Sequence, residues 1–150
     1  RKDFRCEADI EEWGYKFHMN DVCATVGIEN LKHADKIISK HKENAAYYDK
    51  HLQNVDKVTL LKREKGFDSA FWIYSLKVED RDKFYKHMDE CNITVSQVHE
   101  RNDKHTCVRE FQSNLPSLDT TIGKIASIPV GWWLTPEERE YIVKCIKKGW

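Results

Sequence analysis

From Leu31 onward, positions of one kind return at three- and four-residue steps. Leu31, Ala34, Ile38, His41, Ala45, Tyr48 and Leu52 fall on one mostly apolar stripe, while "KHKEN" and "DKH" supply the opposite, polar face. That period belongs to an amphipathic helix, and this one is predicted to end near Gln53-Asn54. A shorter helix precedes it, with Asn20 or Asp21 as its cap and Gly27 or Asn30 as the break between the two. The pattern then changes. "KVTLLK" predicts a short strand, "REKGFDS" a polar turn, and "AFWIYSLKV" (70–78), rich in aromatic and branched residues, a second strand. "RDKFYKHMDEC" returns to helical spacing, with Phe84, His87, Met88 and Cys91 on one side and Asp80 as cap. "ITVSQV" (93–98) reads as a third strand and "HERNDKH" as a polar loop. "LDTTIGKIASIPV" reads as a helix running into an extended exit at Pro129. The last helix opens at "TPEE": Thr135 caps it, Pro136 takes the first helical position, and Glu137-Glu138 suit the positive end as Lys147 and Lys148 suit the negative one.

The predicted architecture is therefore α+β: one domain over 1–150, with a sheet of about three strands, helices on one side and a long helix near the N-terminus. At 150 residues such a domain buries roughly 68–70% of its unfolded surface. Lys+Arg and Asp+Glu both number 25. That balance excludes a general nucleic-acid binder, which needs surplus cations to displace counterions. No stretch is long and apolar enough to span a membrane, and "RKDFRCEADI" has no signal-peptide core. The five cysteines are scattered, with no CxxC. Cys23, Cys91 and Cys145 have apolar neighbours at helical spacing and are expected to act as small core residues. The expected compartment is reducing and cytoplasmic.

Chemistry has three candidate places. In "GYKFHMND" (14–21), Lys16 and His18 lead into a helix start whose N–H groups carry partial positive charge. A phosphate is a suitable guest there; the plainer reading packs Tyr15, Phe17 and Met19 inward and leaves Lys16 and His18 to water. In "VHERNDKHTC" (98–107), His99, Arg101, Asn102 and His105 crowd one loop, a suitable place to orient a ligand. His99, His105 and Cys107 are also metal-ligand types. Their H-x5-H-x-C spacing matches no common zinc site and no fourth ligand is evident, so no metal is expected. In "SIPVGWWLTPEE", Trp132 and Trp133 either seal the last helix onto the core as a hydrophobic staple or form an aromatic platform for a base or sugar.

The segment "GYKFHMNDVCATVGIENLKHADKIISKHKENAAYYDKHL" resembles the DegT/DnrJ/StrS family of nucleotide-sugar aminotransferases. Their pattern is G-[FY]-[NK]-x-x-M-[STN]-[DE], then a small-residue helix and a long helix ending in Tyr-Tyr. Gly14, Tyr15, Met19, Asn20, Asp21, Gly27, Leu31, Tyr47 and Tyr48 fit that frame. "AFWIYSLKV", "RDKFYKHMDECNITVSQVH" and "IASIPVGWWLTPEEREYIVKCI" follow in the family's order, the last resembling a "SLPL…LTxEExxxV" pattern.

The resemblance implies the C-terminal small domain of a fold-type I enzyme that depends on pyridoxal phosphate (PLP). The large domain, with its Schiff-base lysine, has no counterpart in these residues, so the chain alone is expected to be catalytically silent. The whole enzyme would move an amino group, usually from glutamate, to a nucleotide-linked keto-sugar in amino-sugar or surface-polysaccharide biosynthesis, as a homodimer with active sites at the subunit interface. The segment matching 14–21 would hold the phosphate of the partner subunit's PLP. Where the family uses an asparagine, at the third or fifth position, this sequence has Lys16 and His18. The loop after the third strand corresponds to the family's substrate-side loop. His99 matches its histidine; Arg101, Asn102 and His105 are added from local chemistry. A PLP-dependent sugar dehydratase shares the scaffold and stays open as an alternative. So does a free-standing protein- or nucleotide-binding module.

Overall fold

The computed structural model describes residues 8–150; Cys6 lies outside them. Helix α1 (Asp21–Leu31) opens at Asn20, whose side-chain oxygen accepts from Cys23 N–H at 2.9 Å. It runs through both Gly27 and Asn30, the expected break points. The turn falls instead at Lys32-His33, whose N–H groups bond back to Glu29 and Asn30. One internal glycine costs a helix only about 1 kcal/mol, too little to stop it. Helix α2 (Ala34–His51) starts there and ends where the pattern predicts. Strands β1 (Val58–Leu60) and β2 (Tyr74–Val78) follow, then helix α3 (Arg81–Glu90), with Asp80 accepting from Lys83 N–H as its cap. Two 3-10 turns, Asn102–Lys104 and Thr106–Phe111, precede helix α4 (Pro116–Ile122), strand β3 (Ile125–Ile128) and helix α5 (Pro136–Lys148).

The sheet is antiparallel in the order β1-β2-β3, with Val58 opposite Val78 and Tyr74 opposite Ile128. This corrects the third strand. Residues 93–98 are not that strand; their single bridge, Ser96 to Ser127, lies at the free edge of β3. The third strand is "IASI", inside the stretch read as helical. Its four residues are half-buried or buried throughout, which period counting does not separate from a buried helix segment. The preceding "PSLDTTI" keeps the helical state with Pro116 in its first turn.

Alternation on β2 sends Tyr74, Leu76 and Val78 into the core, as pleating requires. Ala126 and Ile128 join them from β3. The helices close over this face with Ala45 and Tyr48 from α2, Phe84 and Met88 from α3, and Ile142, Val143, Cys145 and Ile146 from α5. Each large apolar side chain so buried contributes roughly 1.5–3 kcal/mol. Cys145 is thus a core residue and Cys91 is half-buried, but Cys23 is exposed on α1, contrary to expectation. Helix α1 buries none of its residues, so no core exists there for Cys23 to join.

One polar group sits inside this core. Asn44, fully buried on α2, donates to the Val130 and Gly131 carbonyls at 3.1 and 2.9 Å, and its oxygen accepts from Arg139 at 3.1 Å. One turn along, Tyr48 donates to the Pro129 carbonyl at 2.8 Å. Burial pushes the Tyr48 hydroxyl well above the usual phenol range, so it remains a donor. Helix α5 is started by a complete capping box: Thr135 Oγ1 accepts from Glu138 N–H, and Glu138 accepts from Thr135 N–H.

Asn44→Ala is expected to destabilise the protein by about 2–3 kcal/mol, because two buried carbonyls and a guanidinium lose their partner; Thr135→Ala should cost about 1 kcal/mol. Denaturant unfolding with unchanged m-values checks both. Bonds from Lys40 and then Arg139 hold the Glu43 carboxyl below the ordinary carboxylate range. A depressed folded-state value contributes stability above the unfolded value, and that contribution is lost as pH falls through the folded one. The stability advantage of wild type over Glu43→Gln should therefore be present at neutral pH and vanish in an acid titration below the ordinary carboxylate range.

Candidate functional site

Residues 8–20 form an extended lead-in to α1, and every one of them is exposed. The expectation that Tyr15, Phe17 and Met19 pack inward is overturned: Tyr15 is 91% and Phe17 90% exposed, and Met19 is also open. Tyr15 and Phe17 lie against each other, ring centroids 6.0 Å apart, beside a helix that buries none of its residues. Lys16 and His18 face outward beside them. Asn20 occupies one first-turn N–H group of α1, so the helix start next to Lys16 and His18 is already ordered.

The base of this lead-in is sewn to the second candidate loop. Thr106 gives both its N–H and its hydroxyl to Asp9, at 2.9 and 2.6 Å, and Cys107 N–H bonds the Ile10 carbonyl at 3.0 Å. Ile10 N–H in turn reaches His105 Nδ1 at 3.3 Å. These bonds cross more than ninety residues of sequence, and no periodicity in either segment announces them. The Thr106 hydroxyl, foremost, holds the Asp9 carboxyl below its usual range. Because His105 Nδ1 accepts from Ile10, that ring nitrogen carries no proton in this tautomer. The 3.7 Å approach of Asp9 to it is then not an ion pair.

The four loop residues divide by what they touch. Arg101 grips Asp103 through two parallel bonds of 2.7 and 2.6 Å and also pairs with Asp119 on α4. Asp103 first, then Asp119, drive its already high pKa upward; the guanidinium is committed to shaping the loop. His105 is occupied by the Ile10 contact. His99 and Asn102 are exposed. Among the described residues no group of three or more His, Cys, Asp or Glu is set to hold a metal, and none of the helices there is long and apolar enough to cross a membrane.

The third candidate also differs from expectation. Trp132 and Trp133 do not staple α5 to the core; both are more than half exposed. They stand nearly perpendicular to each other, and Trp133 meets His41 edge-on. Gly131 makes this possible, since a Cβ there would lie 2.2 Å from the Trp133 ring. Two hollows flank the pair. One, of about 610 Å³, is lined by Asn30, His33, Lys36, Lys40 and Trp132. The other, of about 360 Å³, lies between Trp72 and Trp133 over Ser96 and Ser127. Sequence reading singled out neither His33, Lys36 and Lys40 nor Trp72. The three- and four-residue spacing of the first three on α2 was the available signal.

Comparison with known proteins bears on the chain as a whole. The family model of the DegT/DnrJ/EryC1/StrS aminotransferases matches residues 2–147. GDP-perosamine synthase of Escherichia coli O157:H7 is 27% identical over 69% of this chain and 32% of its own length. The solved structure of the sugar aminotransferase CalS13 from Micromonospora echinospora superposes with a TM-score of 0.85 at 42% identity, over 93% of this chain and 38% of that one. A sugar aminotransferase from Streptococcus pneumoniae, solved in its PLP-form, shares the fold at a TM-score of 0.76 and 19% identity, over 93% of this chain and 38% of its own. The chain thus spans less than two fifths of each of these relatives. A match running almost from end to end makes the chain a member of the DegT/DnrJ/EryC1/StrS aminotransferase family.

Proposed function

We propose that this chain is the C-terminal small domain of a PLP-dependent sugar aminotransferase, which moves an amino group from glutamate to a nucleotide-linked keto-sugar. The observation that carries the reading is the free lead-in. Lys16 and His18 stand exposed, ahead of an ordered helix start, on a segment whose apolar side chains find no cover among the described residues. Such an arrangement is suited to docking against another surface and presenting Lys16 and His18 to an anion held there.

The residues present fit the phosphate of PLP. Lys16 supplies a compact point charge and His18 a ring N–H, both suited to phosphate oxygens. The cofactor, when bound, supplies the electron sink for transamination. The chain's own share is positioning. Lys16 and His18 hold the phosphate of the partner subunit's cofactor, and Asn20 keeps the helix start behind them in register. Arg101 stiffens the 99–105 loop through Asp103 and Asp119, so that His99 and Asn102 face the sugar nucleotide. His105 joins that loop to the lead-in through Ile10, which couples the substrate side to the phosphate side. Val22, Val26, Ile28 and Leu31 on α1, all exposed here, lie against the large domain or the second subunit of a homodimer. A module that binds a protein or nucleotide through Trp132 and Trp133 is the rival reading, favoured by their exposure beside two hollows.

In the full-length protein, Lys16→Ala and His18→Ala should each weaken PLP binding roughly 10–100-fold, the range for losing one charged hydrogen bond. Cofactor absorbance titration measures this, and amino transfer from glutamate should fall with cofactor occupancy. Saturating PLP should restore most of the activity. Unchanged cofactor affinity in both variants would discard the phosphate role and leave the binding module standing.

A further inference from the structure

The end of α3 and the middle of α5 bring two thiols together at a place the proposed cofactor and substrate roles leave unused. Cys91 follows the last turn of α3, half-buried, and Cys145 is buried on α5. His87 spans them: its Nε2 lies 2.9 Å from the Cys145 carbonyl oxygen and 4.0 Å from Cys91 Sγ. Tyr141, one turn ahead of Cys145, donates its hydroxyl to the Cys91 carbonyl at 3.3 Å. Cys145 is thus a close neighbour of Cys91, and Tyr141 of both. The backbone at each cysteine is therefore fixed by a bond from the opposite helix.

We propose that Cys91 and Cys145 form a reversible disulfide site, closed by exchange with a small oxidised disulfide of the glutathione class. Cys91, the more accessible, reacts first. Its thiol gives its proton to solvent, its sulfur attacks the small disulfide, and the S–S bond of that oxidant breaks to release one glutathione thiol. Cys145 then loses its proton and attacks Cys91 Sγ, releasing the second glutathione. Two protein thiols are oxidised to one disulfide while one small disulfide is reduced to two thiols. His87 Nε2 does not take either proton, because it already donates its own to the Cys145 carbonyl.

The new bond ties α3 to α5 at the point from which the chain leaves for Ser96 and the 99–105 loop. Cys91 is surrounded by Cys145, His87, Tyr141, Lys148 and Glu90. Burial, then contact with Cys145, hold its thiol above the usual range. Exchange is accordingly slow at neutral pH and accelerates as pH rises.

The test uses the full-length protein, incubated with oxidised glutathione, trapped by alkylation and digested without reduction. The expected product is one peptide pair joining Cys91 to Cys145, lighter than the reduced pair by two hydrogens and reopened by dithiothreitol. Cys145→Ser should leave glutathione attached at Cys91 instead, raising that adduct from a trace to near-stoichiometric yield. Cys91→Ser should leave Cys145 reduced. Exposed Cys23 reports general oxidation in the same digests. Full alkylation of Cys91 and Cys145 in the oxidised wild type would overturn the proposal. So would a persistent glutathione adduct at Cys91, or cross-links confined to other cysteines.

Discussion

A single amide holds the molecule's framework in register. Asn44 is buried at the middle of α2, and all three of its bonds go to the chain beyond β3: two carbonyls at the strand exit and one guanidinium on α5. A buried amide is costly unless every polar atom is matched, so this constellation tolerates one arrangement of three elements and penalises others. Tyr48 repeats the logic one turn away at Pro129. Together they fasten the exit of β3 against α2, which in turn decides where Gly131 lies, where the two tryptophans point and where Thr135 begins α5. Arg139 carries the constraint outward, pairing with Glu43 and lying over the Tyr47 ring at 4.3 Å.

Around that clamp the chain divides into two kinds of surface. The sheet with α2, α3 and α5 has a core of its own, including fully buried Tyr48, Tyr74 and Phe84. The lead-in and α1 have none. Eleven residues of propensity and a cap do not keep a helix of this length formed in water, where isolated helices under about 12–15 residues are marginal. Its exposed apolar side chains, Val22, Val26, Ile28 and Leu31, are ones that an interface would cover, in a family whose named relatives are more than twice as long.

The charges follow the same division. In the 99–119 region, Arg101, Asp103 and Asp119 neutralise one another, and Asp9 is bound by Thr106. Such groups give the loop a shape and have little left to offer a ligand. The exposed Lys16, His18 and His99 stand outside these side-chain networks.

Local chemistry in the sequence decided a good deal by itself. The caps at Asn20, Asp80 and Thr135, the end of α2 and the strand at 74–78 each depend on neighbours a few residues apart, so they were legible without a fold. The motif frame from Gly14 to Tyr48 carried the family for the same reason. What required the tertiary structure was partner choice. "ITVSQV" and "IASI" are both short apolar runs, and only the sheet decides that the second pairs with β2 along four residues while the first touches its outer edge. The break between α1 and α2, the exposure of Tyr15, Phe17, Trp132 and Trp133, and the exposure of Cys23 depended on whether an opposing surface exists. The stitching of residues 9–10 to 105–107 and the meeting of Cys91 with Cys145 join positions that have no sequence relation. Periodicity reports which face of an element is apolar; it does not say what that face will meet, and that was settled by the packing of the whole chain.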